Sequence, residues 1–246
     1  MKDAKINGNN TANYIYGRIP SLDVLQNRKA KMVYLQKGFN ESKIISEIQK
    51  QNLNVNYVDA SKLDELSRSG NHQGIVVEAK PYEYSSLEEI LRSVKGKKDP
   101  CILILDEIED PHNFGAILRS CDAFGVDGVI IKSRNQVPLN MTVAKVSTGA
   151  VDYVKVAQVN NLSVALSKIK EAGFWVYAAE GSGTEDYNKV KFDGPVALVV
   201  GSEGRGISKL VLENSDFIIK IPMMGHVNSL NVSVSVGILL SRVRNK

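Results

Sequence analysis

Three segments of the chain concentrate residue types that can act on a ligand. The first, DPHNFGAILRS at 110–120, breaks at Asp110-Pro111, turns through Asn113 and Gly115, and enters a helical pattern that carries Arg119. A guanidinium there can clamp a phosphate or stabilise a developing oxyanion, because it is planar, permanently charged and presents five donors. The second, GSEGRGIS at 201–208, sets Gly201, Gly204 and Gly206 around Glu203 and Arg205. Glycines so placed let backbone amides approach a ligand closely. No GK[ST] follows and the GxGxxG spacing is missing, so neither a Walker loop nor a dinucleotide fingerprint is present. The third, IPMMGHVNSLNVSVS at 221–235, bends at Pro222 and Gly225 and puts Ser229 and Asn231 where a helical pattern begins. Taken alone, either residue there is an ordinary helix cap, a lone glycine turn is structural, and a lone arginine is solvated.

Each segment follows or interrupts an apolar run, and these runs must position it. CILILD, GVIIK, DYVKVA, FWVYAAE, PVALVVG and DFIIKIP alternate with helical patterns, which predicts an α/β fold with a mostly parallel sheet covered on both faces. In such sheets ligands bind beyond the carboxyl ends of the strands, where the three segments fall. The C-terminal LNVSVSVGILLSRVRN is read as a helix that ends in basic residues. In the first third, a helix capped by Ser21 is followed by the strand KMVYLQ, a helix over SKIISEIQKQN, VNYVD, a helix over SKLDELSRS and the strand GIVVEA. These divide the chain into residues 1–80, a linker at 81–99 with one short helix and a Lys/Gly-rich exit, and residues 100–246.

With 43% hydrophobic and 24% charged residues the composition is that of a globular chain. No apolar run approaches the roughly 20 residues of a membrane helix, and the polar start is unlike a signal peptide, so a cytoplasmic protein without a membrane partner is expected. Cys101 and Cys121 make no disulfide framework and lack ligand spacing with His72, His112 or His226, so no metal is expected. The net charge is +4; residues 1–80 hold 12 basic and 8 acidic side chains and the remainder 19 of each, so the excess sits in the first third. That asymmetry fits a mildly basic module facing an anionic partner, although a surplus this small is also ordinary surface charge.

In order and spacing, DPHNFGAILRS, GSEGRGIS and IPMMGHVNSLNVSVS resemble the three motifs of the SpoU/TrmH-type RNA 2′-O-methyltransferases of the SPOUT superfamily. The likeness covers residues 100–246. The first 80 residues, with Tyr16-Gly17 and NHQGI at 71–75, are similar to the subgroup that carries an extra N-terminal RNA-binding domain and methylates a guanosine ribose in 23S ribosomal RNA. The resemblance implies an N-terminal domain like ribosomal protein L30 and a catalytic domain with a deep C-terminal trefoil knot. It implies S-adenosylmethionine as cofactor, held by Gly201, Ile221 and Leu230 and bordered by Thr148 and Gly149. It implies a homodimer acting on ribosomal RNA, with no role for DNA.

For Arg119 the family account assigns removal of the ribose proton with help from an RNA phosphate. A guanidinium is a permanent cation under ordinary conditions, which leaves phosphate clamping or alkoxide stabilisation as the alternatives. Asn113, Glu203, Ser229 and Asn231 match the other polar motif positions, with orienting roles toward Arg119 or the ribose. A transfer-RNA methyltransferase and a noncatalytic RNA-binding protein are the rival readings; the N-terminal domain argues against the first, and the presence of Arg119 and Asn113 against the second. A bulky residue at Gly201 is expected to block the cofactor, and alanine there to be partly tolerated.

Overall fold

The computed structural model describes residues 13–245, and their backbone divides into two compact units, one ending at Tyr82 and the other beginning at Glu83. In the first, β1 (Asn13–Tyr16), α1 (Arg18–Gln26), β2 (Ala30–Gln36), α2 (Ser42–Lys50), β3 (Val55–Val58), α3 (Ala60–Ser67) and β4 (Ile75–Ala79) form a four-stranded sheet in the order β1-β4-β2-β3. β4 is antiparallel to both neighbours, and β2 and β3 are parallel. Ser21 is not the cap of α1. Gly17, at a φ of 87° that favours glycine, turns the chain four residues earlier and its carbonyl accepts from Ser21 N, so the serine is buried inside the helix.

The second unit contains α4 (Leu87–Ser93), β5 (Cys101–Asp106), α5 (Pro111–Ala123), β6 (Gly128–Lys132), α6 (Met141–Val146), β7 (Val156–Val159), α7 (Leu162–Glu171), β8 (Trp175–Ala179), β9 (Glu185–Asp186), β10 (Val196–Gly201), α8 (Lys209–Glu213), β11 (Phe217–Lys220) and α9 (Val232–Arg244). Seven strands pair in the order β7-β6-β5-β10-β8-β11-β9, every pairing parallel. The chain first runs outward from β5 through β6 to β7, then continues on the other side with β8, and β10 enters between β5 and β8. The direction of winding therefore changes at β5 and β10, and the crevice beyond their carboxyl ends is where such a sheet accepts ligands. All six β5 residues are buried, as a central strand covered on both faces requires.

Two differences from the sequence reading have simple causes. Residues 83–99 are part of the second unit and not a linker: Ser86 and Glu89 form a reciprocal capping box, Glu89 N donating to Ser86 Oγ (3.1 Å) and Ser86 N to Glu89 Oε2 (2.7 Å), and Leu87, Ile90 and Val94 enter the core with Ile102, Ile104 and Ile130. Of DYVKVA only Val156 and Ala157 belong to β7, because Ala150–Asp152 form a single 3-10 turn before it. The helix read at the C-terminus is present as α9.

Candidate active site

Asp110 starts α5 by accepting from His112 N (2.9 Å), and Pro111 sits at the first helical position, where its missing N–H costs nothing. This places Asn113 in the first turn and Arg119 further along the same helix. Gly115 lets α5 lie against α6: a Cβ there would be 2.6 Å from Val146 Cβ. α9 is started by Asn231, whose Oδ1 accepts from Ser233 N (2.9 Å) and Ser233 Oγ (2.6 Å). Asn231 is thus the cap, and Ser229 lies two residues before it.

The three motif segments meet on Glu203. Its Oε1 accepts from Asn113 Nδ2 at 3.1 Å, Asn231 Nδ2 at 2.6 Å and Val232 N at 3.3 Å, while Asn231 Nδ2 also donates to Asn113 Oδ1 at 2.8 Å. A carboxylate suits that position, since three donors converge on one oxygen and charge-assisted bonds are the stronger kind. Arg119 is exposed and has no hydrogen-bond or ion-pair partner among the described residues, which leaves its guanidinium open to a substrate. Ser229 is likewise exposed and unpartnered.

Beyond the ends of β8, β10 and β11 lies a cavity of about 720 Å³, within the range of small-molecule sites. Gly201, Ile221 and Leu230 line it together with Glu203 and Ser229. Thr148 and Gly149 do not. They close the turn after α6, Thr148 N donating to Lys145 O and Gly149 N to Ala144 O, a local role that holds them to their own helix. The walls combine apolar Ile221, Leu230, Val232 and Leu239 with bare backbone at Gly181, Gly201, Gly204 and Gly225. A planar purine and a ribose fit such a lining, because apolar walls take the ring and backbone groups take its polar edge.

The glycine loop is held from strand ends that the motif reading passed over. Glu180 Oε2 accepts from Ile207 N (3.1 Å), and Gly206, at a φ of 66°, comes so near that a Cβ would be 2.6 Å from that oxygen. Asp106 Oδ2 accepts from Ser208 N (2.9 Å). Arg205 pairs its Nη1 with Glu107 Oε2 at 3.3 Å, although its side chain is 73% exposed. Glu107 also accepts from Lys132 Nζ at 2.6 Å, which holds its carboxyl below the ordinary glutamate value. Burial pulls the Lys132 ammonium down, but Glu107 and Asp106 outweigh this and its pKa is raised. The signal for these residues was available: Asp106, Glu180 and Lys132 each end or follow an apolar strand, the same rule that singled out the three loops.

An open parallel sheet with a glycine-lined cavity beyond its strand ends is the architecture of α/β proteins that bind a small ligand at that end of the sheet. Residues 100–241 match the SpoU rRNA methylase family, and residues 14–85 match the pattern described as RNA 2′-O ribose methyltransferase substrate binding. A protein of Staphylococcus haemolyticus provisionally named as a TrmH family tRNA/rRNA methyltransferase is 45% identical over 218 residues, 87% of each chain. Among solved structures, an AdoMet-bound rRNA methyltransferase from Sinorhizobium meliloti superposes with a TM-score of 0.66 at 24% identity, covering 94% of this chain and 86% of that one. The SpoU methyltransferase AviRb from Streptomyces viridochromogenes, in complex with AdoMet, reaches 0.69 at 20% identity, covering 94% and 88%. The chain belongs to the SpoU/TrmH family of RNA methyltransferases.

Proposed function

We propose that the protein transfers a methyl group from S-adenosylmethionine to the 2′-hydroxyl of a guanosine ribose in 23S ribosomal RNA, working in the cytoplasm. The observation that carries this reading is the junction on Glu203, a residue that lines the cavity and accepts from Asn113 and Asn231 of the other two motif segments, while Arg119 stays unengaged. S-adenosylmethionine supplies an activated methyl group on a sulfonium. Gly201, Ile221 and Leu230 would hold it, Gly201 by bare backbone and the other two by apolar contact. Asn113, Asn231 and Ser229 orient the ribose with groups that add no charge, and Glu203 keeps both amides in register. Arg119 holds an RNA phosphate and stabilises the alkoxide that develops as the hydroxyl passes its proton to solvent water, which suits a guanidinium better than acting as a base. Holding the two reactants in line is the larger contribution expected of the protein.

The first unit reads as the RNA-binding module, L30-like, and the second as a knotted catalytic domain that pairs with a second copy. Two observations support this reading: residues 14–85 match the substrate-binding pattern, and α9, which follows the third motif segment, packs back on α5 of the first. The experiment is a transfer assay with radiolabelled S-adenosylmethionine and separate pools of unmodified 23S, 16S and transfer RNA. Label in a guanosine ribose of 23S RNA is expected. Label confined to transfer RNA would replace the substrate assignment, and label in none would refute the reaction.

A further inference from the structure

We propose that the first unit contains a pocket for one unpaired nucleotide of the RNA substrate, built around Arg18, Phe39, Asn40, Asn71 and Gln73. This deepens, and rests on, the reading that the protein modifies RNA. A cavity of about 890 Å³ opens between the start of α1, the turn that follows β2 and the loop 70–74 that precedes β4. It is distinct in position and chemistry from the glycine-lined cavity of the second unit.

Its residues suit a base better than a string of phosphates. The guanidinium of Arg18 lies 5.7 Å from the centroid of the Phe39 ring, and its side chain is 53% exposed. A guanidinium plane and an aromatic ring together are a surface on which unstacked bases settle. Both cations of the cavity already have carboxylate neighbours, Arg18 with Glu41 at 3.6 Å and Lys37 with Asp59 at 3.1 Å, so no surplus positive charge is directed at a backbone. What remains open is amide: Asn40 and Asn71 are exposed without partners among the described residues, and Gln73 spends only its Oε1, accepting from Arg18 N at 2.9 Å. Side-chain amides carry the donor and acceptor pairs that read base edges.

The loop is also shaped at some conformational cost. Gln73 has a φ of 51° and Gly74 of 84°, and a Cβ on Gly74 would meet Phe39 Cδ2 at 2.9 Å, so the backbone passes tightly along the ring. His72 fixes that turn, its Nδ1 accepting from Gly74 N at 3.0 Å and its Nε2 facing Asp64 at 3.3 Å. A non-glycine residue held at positive φ persists where surrounding structure over-determines it, often where a ligand is gripped. A fully paired helix keeps its bases stacked and cannot fill such a pocket.

The test uses the full-length protein and two probes, a short single-stranded RNA containing 4-thiouridine and a blunt RNA duplex of the same length. Photocrosslinks from the single strand should map to residues 36–40 or 70–74. Asn71→Asp, at an exposed side chain with no structural partner, should weaken single-strand binding on the order of tenfold while duplex binding and the melting temperature stay unchanged. Phe39→Ala should weaken the single strand comparably. Crosslinks confined to other regions, or both variants binding the single strand as the parent does, would overturn the pocket. Methyl transfer by the parent protein is measured in parallel. Transfer without base capture at this site removes the pocket alone, whereas capture without transfer to any RNA removes the proposed reaction and leaves the pocket standing.

Discussion

Gly201→Ala should be far more damaging than its conservative chemistry suggests. Gly201 ends β10 opposite Asp106 of β5, and the chain then doubles back so that Ser202 pairs with Gly206. A Cβ on Gly201 would stand 2.1 Å from Gly206 O, 2.2 Å from Gly206 C and 2.5 Å from Ile207 N, where ordinary contact begins at 3.4 Å. The obstructing atoms are backbone, so no side chain can swing aside and the loop must retreat by more than an ångström. Ile207 N is held by Glu180 and Ser208 N by Asp106, which resists that retreat. Forced overpacking costs roughly 1–3 kcal/mol, and a clash with tethered backbone belongs near about 3 kcal/mol. For a chain of this size that is a fall of about 6–12 °C in melting temperature. The retreating loop also carries Glu203 and one wall of the cavity, and a displacement of about 1 Å at a reacting centre can cost on the order of a hundredfold in rate. Gly204→Ala is the control, since nothing lies within 4 Å of its Cβ position although it lines the same cavity. Scanning calorimetry and titration with S-adenosylmethionine would compare the three proteins. A Gly201→Ala protein that melts with the parent and binds the cofactor with equal affinity would refute the reasoning, and would restore the sequence-based expectation that alanine is partly tolerated.

Arg119→Ala should lower single-turnover methyl transfer by on the order of 10²–10³-fold, with cofactor affinity held within about twofold, because its role concerns the ribose and phosphate; equal losses in both would move it to the cofactor site. Glu203→Gln keeps an oxygen for Asn113, Asn231 and Val232 but loses the charge assistance, so turnover should fall about tenfold with little change in RNA affinity, read as a split between kcat and KM. Lys132 and the other neighbours depress the Glu107 carboxyl below its unfolded value of about 4.3. Its stabilising contribution is therefore fully present above that pH and is lost as pH falls through the lower folded value. Glu107→Gln should accordingly melt below the parent at neutral pH, with the gap closing in acid; a gap that widened in acid would reverse the sign. Arg244, near the end of α9, donates to the carbonyls of Phe124, Asp99 and Gly125, and Arg244→Ala should cost about 2 kcal/mol by denaturant unfolding because three acceptors lose one charged donor.

Local periodicity and punctuation were sufficient for most of the elements. β5, β6, β8, β10 and β11 follow from continuous apolar runs, and α9 from its apolar spacing, because burial on both faces of a sheet or along one helix face writes itself into adjacent residues. The motif segments and their family likeness could be read directly, and with them Asn113, Arg119, Glu203 and Asn231. β1 and β9 left no such mark: each is short, and what makes it a strand is a partner far away in sequence, β4 for one and β11 for the other. The same limit governs the short helix α4, whose polar neighbourhood reads as a linker although its three apolar residues belong to the second unit's core.

Only the tertiary structure decided how the site is assembled. Glu203 lies 90 residues from Asn113 and 28 from Asn231, and no spacing rule states that one of its oxygens accepts from both. It follows from β10 entering between β5 and β8, which brings the glycine loop to the ends of strands laid down much earlier. That placement also explains Glu180, Asp106 and Glu107 as tethers of the loop, and separates Thr148 and Gly149 from the cavity they were expected to border. Residue type and local spacing determine which groups are available and which element carries them. Which groups share an atom is set by sheet order, a property of the whole unit, since hydrogen bonds and sterics reach only a few ångströms and must be brought together by the path of the chain.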